Sequence, residues 1–165
     1  MILSFQQGID NEILRKKSEP VAKPTGKIKK FLKNMEKEML SQNGVGLAAP
    51  QVGHNIRIII VRFNPGKPEQ MIIPMLNPEI LHFSEEKYED EEGCLSIPDI
   101  WGIVERPKEI IVSFLTAKGA PQTLKLSDLN ARIIQHELDH LDGILFVDRA
   151  KSTRKKTKEE KGQEI

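Results

Sequence analysis

The chain has 165 residues but only one cysteine, one tryptophan, one tyrosine and four histidines, and aromatic residues make up 5% of it. A single cysteine excludes an intramolecular disulfide, so no covalent cross-link shapes the fold. The start, Met1-Ile2-Leu3-Ser4-Phe5-Gln6, has neither a basic n-region nor a full apolar h-region, so no signal peptide is evident. With the lone thiol this predicts a reducing compartment, a bacterial-type cytoplasm, with organellar origin left open. No apolar stretch approaches the ~20 residues of a membrane-spanning helix, and no membrane partner is expected. There is no surplus of one charge either: 25 Lys and Arg face 24 Asp and Glu, for a net +1. The balance is uneven, because residues 151–165 carry six Lys/Arg against three Glu, which leaves the body near −2. Bulk charge therefore argues against a nucleic-acid surface, and no specific DNA partner is expected. The chain shows no internal repeats and no second domain boundary. Its length suits one domain with a sizeable core. The expected organisation is one domain over 1–150 and a basic, flexible tail over 151–165, which has no large apolar residue before Ile165.

Periodicity supplies the elements. Asp10 is the expected cap of a short turn over residues 11–16. Thr25 precedes an amphipathic helix in which Ile28, Phe31, Leu32, Met35 and Met39 recur at three- and four-residue spacing, ending at Asn43-Gly44. Residues 57–63 and 71–76 read as strands, and Pro74 predicts that the second is an edge or irregular strand. Residues 109–116 and 122–126 flank Ala117-Lys118-Gly119-Ala120-Pro121, a hairpin signal. A last helix should start at Ser127 as N-cap and stop at Gly143. Its apolar residues form two stripes, Leu129 and Ile133 on one and Ile134, Leu138, Leu141 and Leu145 on the other, so it should run through the core. Strands between unequal helices predict an α+β fold rather than a regular βαβ alternation.

That last helix carries Gln135-His136-Glu137-Leu138-Asp139-His140. At about 100° per residue, His136 and His140 lie about 40° apart on one face, with Glu137 about 60° beyond His140. This is the His-Glu-x-x-His arrangement: two nitrogen ligands for a metal and a general base beside it. At least one more protein ligand is needed, and the candidates are any carboxylate, His54, His82 or Cys94. Cys94 lies in Glu92-Gly93-Cys94-Leu95-Ser96, where the glycine permits close backbone approach. A third segment, Gly44-Val45-Gly46-Leu47-Ala48-Ala49-Pro50-Gln51, packs small residues into a tight loop that closes on an amide side chain.

In this order and spacing the three segments resemble the signature boxes of the peptide deformylases, and the resemblance runs from about Ile9 to Asp148. It implies the peptide deformylase-like fold, antiparallel or mixed sheets around a central metal-binding helix. It implies that Cys94, His136 and His140 hold one divalent ion, with ferrous iron favoured and zinc, nickel or cobalt as substitutes, since thiolate and imidazole suit all four. Glu137 would be the general base, and the Gln51 side-chain amide and the Leu95 backbone N–H would donate to the oxyanion. The backbone of Val45, Gly46 and Gly93 would pair with the substrate as an added strand, while Val45, Leu129, Ile133 and His136 would line a methionine pocket. The implied substrate is the N-formylmethionyl end of new proteins, the products formate and a free amine. Bacterial members dock on ribosomes through their C-terminal region, which makes the basic tail a candidate for that contact.

Other residues keep two readings. Trp101 is a core anchor or borders the substrate entrance. Arg106 pairs with Glu92 behind the metal loop, or both are solvated. The acidic run Glu85, Glu86, Glu89, Asp90, Glu91 and Glu92 reads mainly as a solvated strand edge that discourages strand addition. It lacks the glycine-centred loop of a calcium site. Two competing functions remain. A small zinc endopeptidase of the His-Glu-x-x-His type usually takes its third ligand downstream, whereas Cys94 lies upstream. A non-enzymatic relative would be expected to lose Glu137 or Gln51, and both are present.

Overall fold

Ile58-Ile59-Ile60-Val61 is apolar without alternation, the pattern of a strand buried on both faces. In the computed structural model, which describes residues 2–160, this run is strand β2 (Ile58–Phe63), and its four residues have almost no exposed surface. Before it come α1 (Glu12–Arg15), α2 (Gly26–Ser41), β1 (Gly46–Ala48) and a 3-10 turn (Ala49–Val52). After it come β3 (Met71–Phe83), β4 (Lys87–Cys94), β5 (Ile97–Pro107), β6 (Glu109–Leu115) and β7 (Pro121–Ser127). The chain continues through α3 (Asp128–Leu141), α4 (Phe146–Arg149) and β8 (Ser152–Lys155). One sheet has the order β1-β2-β3-β6-β7 and the other β4-β5-β8, and the strand pairs in both are antiparallel. The architecture is the expected α+β type.

Burying both faces of β2 takes two helices. Ile59, Val61 and Phe63 point to α3 and meet Ala131, Ile133, Ile134, Leu138 and Leu141. Ile58 and Ile60 point the other way, where Phe31, Leu32, Met35 and Met39 of α2 cover them. A smaller cluster, with Leu14, Cys94, Ile97, Val104, Leu145 and Phe146, packs behind the three-stranded sheet. α3 thus lies between the sheets, in contact with β1, β2 and β5 among others. Its N-cap is Ser127, and Gly143 follows its C-cap with φ +74°.

Three expectations need correction. The first turn is capped by Asn11 rather than Asp10: Asn11 Oδ1 accepts from the N–H groups of Ile13 and Leu14 at 2.9 and 3.2 Å. β3 is interior in the sheet order, not an edge. Pro74 is tolerated because β6 pairs with β3 only from Leu76 onward, so at Pro74 the strand has a neighbour on the β2 side alone. The strand is irregular nonetheless, with register shifts between Leu76 and Glu79 and between Ile80 and His82. Finally, the segment after residue 150 is not frayed. Ser152–Lys155 pairs with β5 from Ile103 to Ile100, and Lys156 is buried. Composition misled here because the strand's stability comes from its partner: Lys151 reaches Glu89 and Glu105, and Arg154 reaches Glu91 at 2.8 Å. Two tail cations thus pair with Glu89 and Glu91 of the acidic run. Residues 161–165, also assigned to the flexible tail, lie outside the described residues.

Candidate metal centre

One helical turn separates His136 from His140, and their rings meet edge to face with centroids 5.1 Å apart. β4 ends at Cys94, whose Sγ lies 3.2 Å from His140 Nε2. One donor atom from each of these three buried residues falls within 4.8 Å of the others. A tetrahedral ion with bonds of ~2.0–2.3 Å holds neighbouring donors about 3.5 Å apart, so the cluster fits a single ion. His136 Nδ1 lies 2.9 Å from Glu92 Oε2. A carboxylate only accepts, so Nδ1 carries the hydrogen and Nε2 is left as the donor atom for the ion. Burial pushes both imidazoles toward neutrality. In His136, hydrogen bonds and charge from Cys94 and Glu92 outweigh that and raise its pKa. In His140, burial and the charges of His136 and Arg106 drive the pKa well below the usual value, toward the neutral form that binds metal. The rival third ligands lie elsewhere. His54 meets the Ile2 carbonyl at 2.9 Å and the Phe31 ring, and His82 is exposed on β3.

Glu137, next to the ligand pair, is buried against β1. A Cβ built on Gly46 would sit 2.7 Å from Glu137 Cδ and 2.8 Å from Cγ, so only glycine admits the carboxylate there. Gln51 sits in the 3-10 turn with its amide direction set: Oε1 accepts from the Ala48 N–H at 2.8 Å. Nε2 is thereby turned toward the centre, donating to Ser96 Oγ at 3.2 Å and to Cys94 Sγ at 3.5 Å. Leu95 directly follows Cys94 and packs against the α2 cluster.

Beneath the ligands lies a buried ionic network. Glu92 is 0% exposed and accepts from Arg106 Nη2 at 2.8 Å and Arg132 Nη1 at 2.7 Å, besides facing His136. Burial alone would raise the Glu92 pKa, but hydrogen bonds from Arg106 and His136 outweigh it and hold the carboxyl far below its ordinary range. Arg106 continues to Asp139 at 2.9 Å, and Asp139 accepts a fork from Arg149 at 2.7 and 2.8 Å. Of the two readings kept for Arg106 and Glu92, the structure shows the pair. Arg132, Asp139, Arg149 and Ser96 were not singled out in the sequence. Arg132 carried a usable signal: an arginine four residues before His136 shares its buried face and has to find a carboxylate.

The residues expected to contact substrate fall into two groups. Val45 packs on the cluster that contains the fully buried Ile133. Leu129 stands apart, 37% exposed at the start of α3 in a shallow cleft with Asn64, Pro65 and Lys67. Gly93 is covered on its Cβ side by the Trp101 ring, 2.7 Å from the position a Cβ would take, and by Lys156 Nζ at 3.0 Å. Trp101 is buried, as the core-anchor reading requires. β1 and β4 are outer strands of their sheets, each with a sheet neighbour on one side only. Among the described residues, no helix is long and apolar enough to cross a membrane.

A family model described as polypeptide deformylase matches residues 7–156. A peptide deformylase from Picosynechococcus is 44% identical over 144 residues, covering 87% of this chain and 77% of that protein. The crystal structure of peptide deformylase from Thermotoga maritima superposes with a TM-score of 0.84 at 37% identity, covering 92% of this chain and 99% of that one. A Synechococcus elongatus peptide deformylase solved in complex with actinonin gives 0.84 at 36% identity, over 91% and 79% of the two chains.

Proposed function

The chain belongs to the polypeptide deformylase family and is a metallo-hydrolase that removes N-formyl groups from newly made peptides; from that premise we propose how its residues share the work. The observation that carries the assignment is convergence: Gln51 Nε2 reaches Cys94 at 3.5 Å from the 3-10 turn that follows β1, while the adjacent Cys94–His136–His140 cluster joins the three-stranded sheet to α3. Cys94, His136 and His140 are suited to hold one divalent ion, ferrous iron in its working form with zinc, nickel or cobalt as substitutes. When bound, the ion supplies Lewis acidity, lowering the pKa of water towards ~7 and polarising a carbonyl.

The remaining steps belong to the protein. Glu137 takes a proton from the attacking water on its carboxylate and returns it to the nitrogen of the leaving amine. Gln51 Nε2 and the Leu95 N–H donate to the carbonyl oxygen as it gains negative charge, each contributing roughly 3–4 kcal/mol when held in place. Gln51 is preorganised for this because its other amide atom is tied to Ala48. The backbones of Val45, Gly46 and Gly93 take the peptide as an added strand against β1 and β4. Val45 and Ile133 give methionine an apolar slot, with Leu129 at its mouth. The single domain then extends past residue 150 to include β8.

The zinc-endopeptidase alternative is not favoured, since the third ligand is the upstream Cys94. The deciding assay compares a formyl-Met dipeptide, its acetyl analogue and a peptide offering only internal bonds. Formate release from the first alone is expected, and cleavage of an internal bond would overturn the assignment. A narrower proposal is a bacterial-type cytoplasmic enzyme that docks on ribosomes. Among the described residues, the C-terminal cations that support it are the exposed Lys155 and Lys158, because Lys151 and Arg154 are engaged with carboxylates and Lys156 is buried. Lys155→Glu with Lys158→Glu should weaken ribosome co-sedimentation at low salt. Unchanged co-sedimentation would end that proposal.

A further inference from the structure

The residue before the thiolate is the softest point of β4. Register between β4 and β5 slips between Glu92 and Cys94, so Gly93 occupies an irregularity, and glycine adds backbone freedom. A loosely held Gly93 would let Cys94 Sγ wander. One side chain of β5 and one from the far end of the chain cover it. The Trp101 ring lies on Gly93, and Lys156 Nζ sits 4.3 Å from the centroid of that ring and 3.0 Å from the Cβ position of Gly93. Lys156 is only 7% exposed, an unusual placement for an ammonium group, which is costly to bury without compensation.

β8 delivers this lysine. Its backbone pairs with β5, and the flanking Lys151 N–H and Lys156 N–H donate to the carbonyls of Ile103 and Asp99 at 2.8 and 2.9 Å. Its side chains cross to β4, where Lys151 meets Glu89 and Arg154 forks onto Glu91 at 2.8 and 3.0 Å. The segment is thus bonded to both strands of the hairpin that carries Cys94. The exposed ion pairs contribute little singly, whereas the Lys156–Trp101 contact is buried and bears directly on Gly93.

We infer that Lys156 is a positioning residue for the metal thiolate: it presses Trp101 onto Gly93 and so fixes the backbone that aims Cys94. This rests on Cys94 being a metal ligand. Glu92 orients His136, and Lys156 acts on the next residue along β4, Gly93, which precedes Cys94.

The test uses full-length, metal-loaded protein. Lys156→Met removes the cation at similar length, Lys156→Arg retains it, and Lys158→Met is an exposed control. Lys156→Met should release metal to a chelator roughly tenfold faster, at the low end of the ~10–100-fold cost of losing an outer support. It should also alkylate faster at Cys94 and shift the thiolate charge-transfer band of the cobalt-loaded form. Lys156→Arg should behave like wild type, which a loss of bulk stability alone would not predict. If Lys156→Met does not fold, Trp101→Phe weakens the same cation–π contact and carries the same expectation at smaller size. Wild-type release and alkylation rates in these variants would overturn the inference. A wild-type Cys94 that alkylates equally with and without metal would instead overturn the ligand assignment beneath it.

Discussion

An alanine at position 46 has nowhere to put its methyl group. The added carbon would stand 2.7 and 2.8 Å from Glu137 Cδ and Cγ, well inside van der Waals contact, and the nearest carboxylate oxygen would be closer still. Backbone on the other side belongs to β1, which pairs with β2 from Gly46 to Ala48 and cannot easily retreat. The side chain of Glu137 gives way instead, by an amount on the order of 1 Å. A misplacement of that size costs about 10²-fold in a reaction that depends on near-attack geometry, or about 2.7 kcal/mol of barrier. Gly46→Ala should therefore lower kcat by roughly 10²-fold on a formyl-Met peptide while keeping full metal content, since Glu137 is not a ligand. Combining Gly46→Ala with Glu137→Gln should add little beyond Glu137→Gln alone, because both act through one carboxylate. Formate release, metal analysis and the double-mutant comparison together check the argument. Near-normal kcat with full metal, or fully additive losses, would refute it.

Three further outcomes follow from the same geometry. Glu137→Gln should keep its metal and lose ~10²–10⁴-fold in turnover; metal loss in that variant would make Glu137 a ligand rather than a base. Arg132→Met should destabilise the protein by roughly 3–5 kcal/mol in equilibrium unfolding, because it strips charge from the buried Glu92 and a donor from the Val104 and Tyr88 carbonyls. A change within error would show that Arg106 alone suffices. Asp148 bonds Arg15 and the Leu145 N–H, and its pKa is lowered mainly by the Arg15 hydrogen bond. That stabilisation is present above the unfolded value of 3.8 and fades as pH falls below it. Asp148→Asn should thus cost stability at neutral pH, about 1 kcal/mol or less given its exposure, and nothing at strongly acid pH. A pH-independent difference would contradict the charge argument.

The three chemical segments were legible because each combines residue types that local structure alone does not demand: paired histidines, a lone cysteine beside glycine, a small-residue loop closing on glutamine. Amphipathic α2 and the continuous apolar run of β2 were legible from period and composition. What stayed hidden depends on partners distant in sequence. Pro74 argued for an edge or irregular strand; the strand is irregular, but the short reach of β6 that lets it sit within the sheet order was not visible. The position of Arg132 on the His136 face hinted at burial, but its partner Glu92, forty positions earlier, is found only in the fold. β8 has no apolar pattern at all. Its cations become strand-compatible only because β4 and β5 present carboxylates at the matching register.

The convergence of the two sheets on α3 also dictates when the protein becomes an enzyme. Gln51 and Cys94 are 43 residues apart in sequence, and Cys94 and His140 are 46 apart. Distant contacts of this kind form late, after loop closure has been achieved. A chain still in synthesis and short of residue 140 lacks one of the three side chains that cluster as a candidate metal site, so that cluster cannot be complete before α3 is.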